Sequence, residues 1–166
     1  MHILVVRNNS NPQAVDASLL LTAYLTSQGI EALLVDSSSL GTDQGRRDVR
    51  AQLPGQLALV VVLGGDGTLN AVLNGMLHRA LRTPITYLPA GTTNDFAQTL
   101  GIQKHLLDPY KSFTETEDRL IDAGKFGDGY FSYVASFGLF TKCSYATPRT
   151  MKRLLGHFAY VLELSL

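Results

Sequence analysis

The chain has 166 residues, of which 45% are hydrophobic and 17% charged, enough for a folded core of one domain or slightly more. Its basic and acidic residues balance, so no net charge favours nucleic acid or an anionic membrane, and any recognition of phosphate or lipid must be local. The single cysteine excludes an internal disulfide framework. Because no apolar run approaches about 18 residues, we expect no transmembrane helix and a cytoplasmic protein.

The first hundred residues alternate short apolar runs with helical periodicity. Strands are predicted at residues 3–6, 30–35, 57–63 and 85–88, with a loop over residues 36–45. Helices are predicted around residues 17–25, 46–52 and 69–77 and from Phe96 onward, and apolar side chains in the first of them recur at helical spacing: Ala17, Leu20, Leu21, Tyr24 and Leu25. This order predicts an α/β fold with a mostly parallel, doubly wound sheet covered on both faces by helices.

The sequence pattern changes after about residue 116. Two strand-like runs, 119–126 and 130–137, flank Gly127-Asp128-Gly129, which is a hairpin signal. An amphipathic helix is predicted from Met151 to the end, with no residue that would stop it. We therefore predict an α/β domain over 1–118 and the incomplete beginning of an antiparallel, β-rich domain over 119–166.

A glycine-rich turn, Gly64-Gly65-Asp66-Gly67-Thr68, ends the strongest predicted strand and opens a helix. Glycines let backbone approach phosphate oxygens, and a helix N-terminus presents free N–H groups to them. Thr68 and Asn70 can add side-chain hydrogen bonds, whereas Asp66 would repel phosphate unless Mg²⁺ and water, or a hydroxyl, lay between. A plain strand-to-helix turn capped by Asp66 is the alternative. The turn is neither a Walker A loop nor a dinucleotide fingerprint, whose third glycine is replaced by Asn70.

A second polar turn follows the next predicted strand. It runs from Pro89 through Gly91, Thr92, Thr93 and Asn94 to Asp95, which could cap the helix that begins near Phe96. Taken alone, a capping loop would explain it. Because both turns follow neighbouring strands, they predict two walls of one binding crevice.

Together these motifs resemble the catalytic domain of diacylglycerol and related lipid kinases. The pattern is Gly-Gly-Asp-Gly-Thr, followed about two dozen residues later by Pro-x-Gly-Thr-x-Asn-Asp-Phe-Ala. The likeness continues through Ile121-Asp122-Ala123-Gly124-Lys125 and Phe131. Residues 144–148 and 152–160 are similar to the soluble bacterial diacylglycerol kinases in particular.

The resemblance implies an ATP-dependent kinase that transfers the γ-phosphoryl group to a diacylglycerol-like lipid and gives phosphatidic acid. It implies a water-linked Mg²⁺ network containing Asp66 and Asp122, with the general base beyond residue 166, so we expect the 166 residues alone to be inactive. It further implies peripheral contact with the inner face of the membrane, and a homodimer is one open alternative. The implied nucleotide-binding residues are Asn9, Gly64, Gly65, Asp66, Gly67, Thr68, Asn70, Gly91, Thr92 and Asn94.

Two departures and two alternatives accompany this hypothesis. Many relatives have Asn-Pro-x-Ser-Gly after the first strand, where this chain has Asn8-Asn9-Ser10-Asn11-Pro12, and a basic residue often found just beyond is absent. An NAD kinase shares the Gly-Gly-Asp-Gly turn, although its Asn-Asn-Glu segment is missing here. A nucleotide-binding module without catalytic activity is the non-enzymatic alternative.

Overall fold

A computed structural model describes residues 1–102, 111 and 118–133 of the chain. Its strands are β1 (His2–Arg7), β2 (Glu31–Asp36), β3 (Leu59–Gly64), β4 (Ile85–Pro89), β5 (Gly124–Phe126) and β6 (Gly129–Phe131). Its helices are α1 (Pro12–Ser27), α2 (Asp43–Gln52), α3 (Asp66–Leu77) and α4 (Asp95–Thr99), and a 3₁₀ turn covers Ser37–Gly41.

Strands β1 to β4 form a parallel sheet in the order β2-β1-β3-β4. The chain moves outward from β1 to β2 and then returns to build β3 and β4 on the other side of β1. The connections after β1 and β3 therefore leave in opposite directions, and an open α/β sheet forms its ligand crevice at the carboxyl ends of such a strand pair.

Two apolar clusters cover the two faces of the sheet. On one face, Ile3, Val5, Val61 and Leu63 pack with the buried side of α1. On the other face, alternate residues of the same strands pack with α2, α3 and α4. Because β1 and β3 are central and covered on both faces, their side chains form near-continuous apolar runs. The predicted doubly wound α/β fold is confirmed.

Helix α1 shows one error in the predicted core. Its buried residues are Ala14, Ala17, Ser18, Leu21 and Leu25. Leu20, predicted to face the core, is 58% exposed. The helix turns Ser18 toward the sheet instead, where the Ser18 hydroxyl accepts a hydrogen bond from Arg7 at the end of β1. Ser18 thus gives the partly buried Arg7 guanidinium a hydrogen-bond partner, whereas Leu20, two residues further on, lies on a different side of the helix.

In the segment between β2 and β3, side-chain caps account for the differences between the predicted and the observed elements. The predicted loop contains the 3₁₀ turn, which begins where Asp36 accepts a hydrogen bond from the Ser38 N–H. Helix α2 then starts at Asp43, earlier than predicted, because the Thr42 hydroxyl caps the Gly45 N–H.

The β5–β6 hairpin is antiparallel, as predicted, but it is shorter. Residues 118–123 are not part of a strand, and the Arg119 guanidinium in this segment donates to the Leu100 carbonyl. The predicted strand residues 134–137 and the final helix lie outside the described residues. The division at residue 118 stays a prediction. In the described part of the chain, no helix is long and apolar enough to cross a membrane.

Candidate functional site

The first glycine turn leaves β3 with no room for a side chain at Gly64. A Cβ atom there would lie 2.5 Å from Thr68 Oγ1 and 2.7 Å from Thr68 Cβ. Gly65 precedes the first residue of α3 and its carbonyl accepts from the Thr68 N–H at 2.9 Å. The predicted arrangement of a strand, a glycine turn and a helix N-terminus is therefore present, with Thr68 packed over the end of the strand.

The second turn is shaped by Asn94. This residue adopts the left-handed conformation, with φ of 51°, and is only 2% exposed. Its side-chain amide accepts from the Gly91 N–H and donates to the Gly91 carbonyl, each at 2.7 Å. The Asn94 side chain therefore stabilises the shape of the turn. The hydrogen bonds that it makes with Gly91 are not available to a nucleotide, and its predicted nucleotide contact stays a prediction.

The two turns are in direct backbone contact. A Cβ atom on Gly91 would lie 2.6 Å from Gly65 Cα and 3.3 Å from Gly65 N, and the Ala90 N–H donates to the Gly64 carbonyl at 2.8 Å. Any side chain at Gly91 would separate the turns. The two turns therefore form one continuous backbone floor between β3 and β4, and the crevice predicted there stays a prediction.

The loop after β1 joins the same floor. The Asn8 N–H donates to the Leu63 carbonyl at 3.0 Å, and Asn11 Nδ2 donates to the Ala90 carbonyl. Asn11 Oδ1 meanwhile caps α1 through the Gln13 and Ala14 N–H groups. Asn11 was not predicted as a site residue, although it belongs to the polar cluster identified in the sequence, and it ties the loop after β1 and the start of α1 to the loop after β4.

Asp66 reaches across the floor from the first turn of α3. Its Oδ1 accepts from the Tyr87 hydroxyl at 3.0 Å, and its Oδ2 accepts from the Phe96 N–H at 3.4 Å, near the limit for a hydrogen bond. Burial raises the pKa of the Tyr87 hydroxyl well above its usual value, and the Asp66 charge and hydrogen bond raise it further. The hydroxyl therefore stays protonated and able to donate.

Asn70 and Asn74 follow Asp66 along α3 at four-residue spacing, which places the three on one face of the helix. Asn70 Oδ1 is buried without a hydrogen-bond partner among the residues that the structure describes. Asn74 Nδ2 donates to the Tyr130 carbonyl at 2.6 Å and Asn74 Oδ1 accepts from the Tyr130 N–H at 2.7 Å. This side-chain amide pairs with β6 as a neighbouring strand would, and it docks the hairpin on α3.

The remaining predicted residues are more open. Asp122, Thr92 and Gly67 are exposed, and no hydrogen bond or ion pair in the described part of the chain joins Asp122 to Asp66. Asn9 is also exposed, and its Oδ1 accepts from Arg7 Nε at 2.6 Å. The structure thus brings together Gly64, Gly65, Asp66, Gly91 and Asn94 and leaves Asp122 unconnected to them.

Arg7 is the principal charged residue that sequence reasoning missed at this edge. It ends β1, and its guanidinium bonds both Asn9 and Ser18. The available signal was a basic residue immediately after the apolar run 3–6. Beside it, burial raises the pKa of Asp36, but hydrogen bonds from Ser38 and Asn9 outweigh burial, and the pKa lies below its ordinary value.

The architecture and these turns define an open, parallel α/β domain with its polar glycine turns gathered at the ligand-binding edge of the sheet. Residues 2–126 match the diacylglycerol kinase catalytic domain family. The chain belongs to this family. The NAD kinase alternative is accordingly set aside.

Curated relatives agree with the family match. Diacylglycerol kinases of Staphylococcus aureus strains JH9 and Newman are each 35% identical to the chain over 105 residues. The matched segment is 63% of this chain and 33% of each relative. The chain therefore matches only about a third of the length of these relatives.

Solved structures show the same fold. A crystal structure of a diacylglycerol kinase from Bacillus anthracis str. Sterne superposes with a TM-score of 0.59 at 22% identity, covering 78% of this chain and 45% of that one. A putative diacylglycerol kinase from the same source gives a TM-score of 0.58 at 21% identity.

Proposed function

We propose that this chain is the nucleotide-binding part of an ATP-dependent lipid kinase. The observation that carries the proposal is the backbone contact between Gly65 and Gly91. It creates a floor of glycine backbone beside the N-terminus of α3, where a polyphosphate can approach backbone N–H groups. The family match supplies the reaction class, because the relatives named above are diacylglycerol kinases.

In the proposed reaction, the oxygen of a lipid hydroxyl forms a bond to the γ-phosphorus of ATP as the bond to the β-phosphate oxygen breaks. The products are ADP and a lipid phosphate, which is phosphatidic acid when the acceptor is diacylglycerol. The hydroxyl proton passes to a general base that we predict to lie beyond residue 166. Phosphoryl transfer of this kind depends mainly on positioning and charge stabilisation.

Magnesium fits Asp66 through water. Each carboxylate oxygen already accepts one protein hydrogen bond and retains capacity for another. No group of three potential metal-binding side chains occurs in the described ranges. Mg²⁺ commonly keeps several water ligands in proteins. When bound, Mg²⁺ neutralises charge on the transferring phosphates, and Asp66 would orient its water. Asp122 is proposed as the second acid on the strength of the family resemblance.

Calorimetric titration of this chain with ADP and ATP, each with and without Mg²⁺, tests nucleotide binding directly. We expect saturable binding that Mg²⁺ strengthens. A folded sample that binds neither nucleotide would contradict the proposal.

A phosphatidic acid assay with diacylglycerol vesicles tests the transfer step. We expect the 166 residues to bind nucleotide but not to transfer phosphate. A longer preparation that also contains the predicted general base should form phosphatidic acid. Nucleotide binding without transfer in both would favour a non-catalytic module. Sedimentation with the same vesicles tests the proposed peripheral membrane contact, and sedimentation velocity without lipid tests the homodimer alternative.

A further inference from the structure

The side chain of Tyr87 has a position that no motif in the sequence explains. It lies on β4, in register with Val62 of β3, and its ring packs against the apolar cluster formed by α2, α3 and α4. The hydroxyl emerges from this cluster at Asp66 Oδ1, 3.0 Å away. Because the ring is held by core packing, the hydroxyl is a fixed donor.

The Asp66 carboxylate is held at both oxygens. Tyr87 donates to one oxygen from β4, and the Phe96 N–H approaches the other from the N-terminal turn of α4. A carboxylate with one donor on each oxygen has little freedom to rotate, and a hydrogen bond to a charged acceptor is stronger than a neutral one. The longer 3.4 Å contact to Phe96 leaves the Tyr87 hydroxyl as the better-formed of these two restraints.

We propose that Tyr87 is a positioning residue, which fixes the Asp66 carboxylate so that it can receive the water shell of a Mg²⁺–nucleotide without first reorganising. This inference rests on the proposed function, because it assigns Asp66 to the magnesium network. In this role Tyr87 would contact the Asp66 carboxylate, and neither the nucleotide nor the metal.

Tyr87→Phe removes only the hydroxyl and keeps the packed ring. Tyr130→Phe is the matched control, since the interactions of Tyr130 with Asn74 use its backbone and those with His78 and Lys125 use its ring. Calorimetry gives the ADP dissociation constant of each protein with and without Mg²⁺. The ratio of these two constants measures how much Mg²⁺ strengthens binding.

We expect Tyr87→Phe to reduce that ratio by about tenfold, the effect of losing one hydrogen bond to a charged group. Affinity for ADP without Mg²⁺ should stay the same, as should both constants of Tyr130→Phe. A general loss of structure would instead weaken binding under both conditions. An unchanged ratio in Tyr87→Phe, with normal wild-type binding, overturns the positioning role alone.

A second measurement tests the contact without nucleotide. In protein labelled with ¹³C at tyrosine Cζ, the Tyr87 resonance, assigned by its absence in Tyr87→Phe, should shift in Asp66→Asn while the Tyr130 resonance stays in place. A Tyr87 resonance that does not respond to Asp66→Asn also overturns the proposal. If the wild-type chain binds no nucleotide, the proposed function fails and the magnesium role of Tyr87 fails with it, whatever the resonance shows.

Discussion

The two polar regions that contact α3 are built in different ways. At its N-terminus, the glycine turns meet through backbone atoms, and the polar groups that shape them are partly or fully buried. Near its C-terminus, the β5–β6 hairpin is held by the side chain of Asn74 and by ring contacts of Tyr130, and Phe126 is 71% exposed. The turns cannot separate without breaking the sheet edge, whereas the hairpin can undock through a few side-chain contacts.

This difference suggests a division of roles. A fixed floor suits the binding of phosphate, because preorganised donors lose little freedom when a ligand arrives. A hairpin docked by one side-chain amide and a few ring contacts is easier to release. The predictions below test this comparison, beginning with the largest expected effect.

Gly91→Ala should damage the floor most. The added Cβ would lie within 2.6 Å of Gly65 Cα and of the Asn94 side chain, so the turns must move apart. We expect a loss of about 3 kcal/mol in the free energy of unfolding, measured by urea denaturation, and no detectable nucleotide binding. Gly75→Ala on α3 is the control, because a Cβ there meets nothing within 4 Å. Equal stability of the two variants would refute the close contact.

Asp66→Asn keeps the volume of the side chain and removes its charge. In any preparation that phosphorylates diacylglycerol, we expect kcat to fall by about 10²-fold with little change in KM, as for the loss of a transition-state interaction. Steady-state kinetics at saturating Mg²⁺ would measure both constants. Turnover near that of the wild type would reduce Asp66 to a structural residue that ties α3 to β4 and α4.

Asn74→Asp tests the hairpin dock. The ionised carboxylate can accept from the Tyr130 N–H but cannot donate to the Tyr130 carbonyl, so docking should weaken by about 2 kcal/mol. Amide hydrogen exchange at Tyr130 should then speed up by about tenfold or more.

The pH dependence of the stability of Asn74→Asp provides an internal control. A protonated carboxyl can both donate and accept, as the amide does. Since the docked state favours the protonated form, the stability lost at neutral pH should return as pH falls, after correction for the wild type. Asn74→Ala should lose the dock at every pH. Identical pH dependence in the two variants would show that the paired hydrogen bonds do not hold the hairpin.

Asp36→Asn should give the smallest effect. The folded-state pKa of Asp36 lies below its ordinary value of 3.8, so its charge stabilises the fold above that value, and this contribution disappears as pH falls through the lower folded-state pKa. Because the group is partly solvated, we expect less than about 1 kcal/mol. Thermal unfolding of both proteins between neutral pH and pH values below 3.8 would measure it. If the stability difference between the wild type and Asp36→Asn grew as the pH fell, the lowered pKa of Asp36 would be contradicted.

The sequence by itself determined the order of strands and helices, the two glycine turns and the family. These features depend on local patterns: apolar runs in the central strands, glycine where backbone must turn tightly, and a combination of motifs specific enough to indicate one family. The hairpin was also local, since Gly127 supplies the positive φ that its turn requires.

Only the tertiary structure decided which polar groups meet. Tyr87 and Asp66 are 21 residues apart, and Asn74 and Tyr130 are 56 apart, so no local pattern couples them. Asn94 is a polar residue of the kind that binds ligands, but its side chain is buried in its own turn. Leu20 has helical spacing but is exposed, while Ser18 is buried and bonds Arg7. The physical reason is common to these cases: a buried polar group must find a partner, and the partner becomes available only when the strands have been placed side by side.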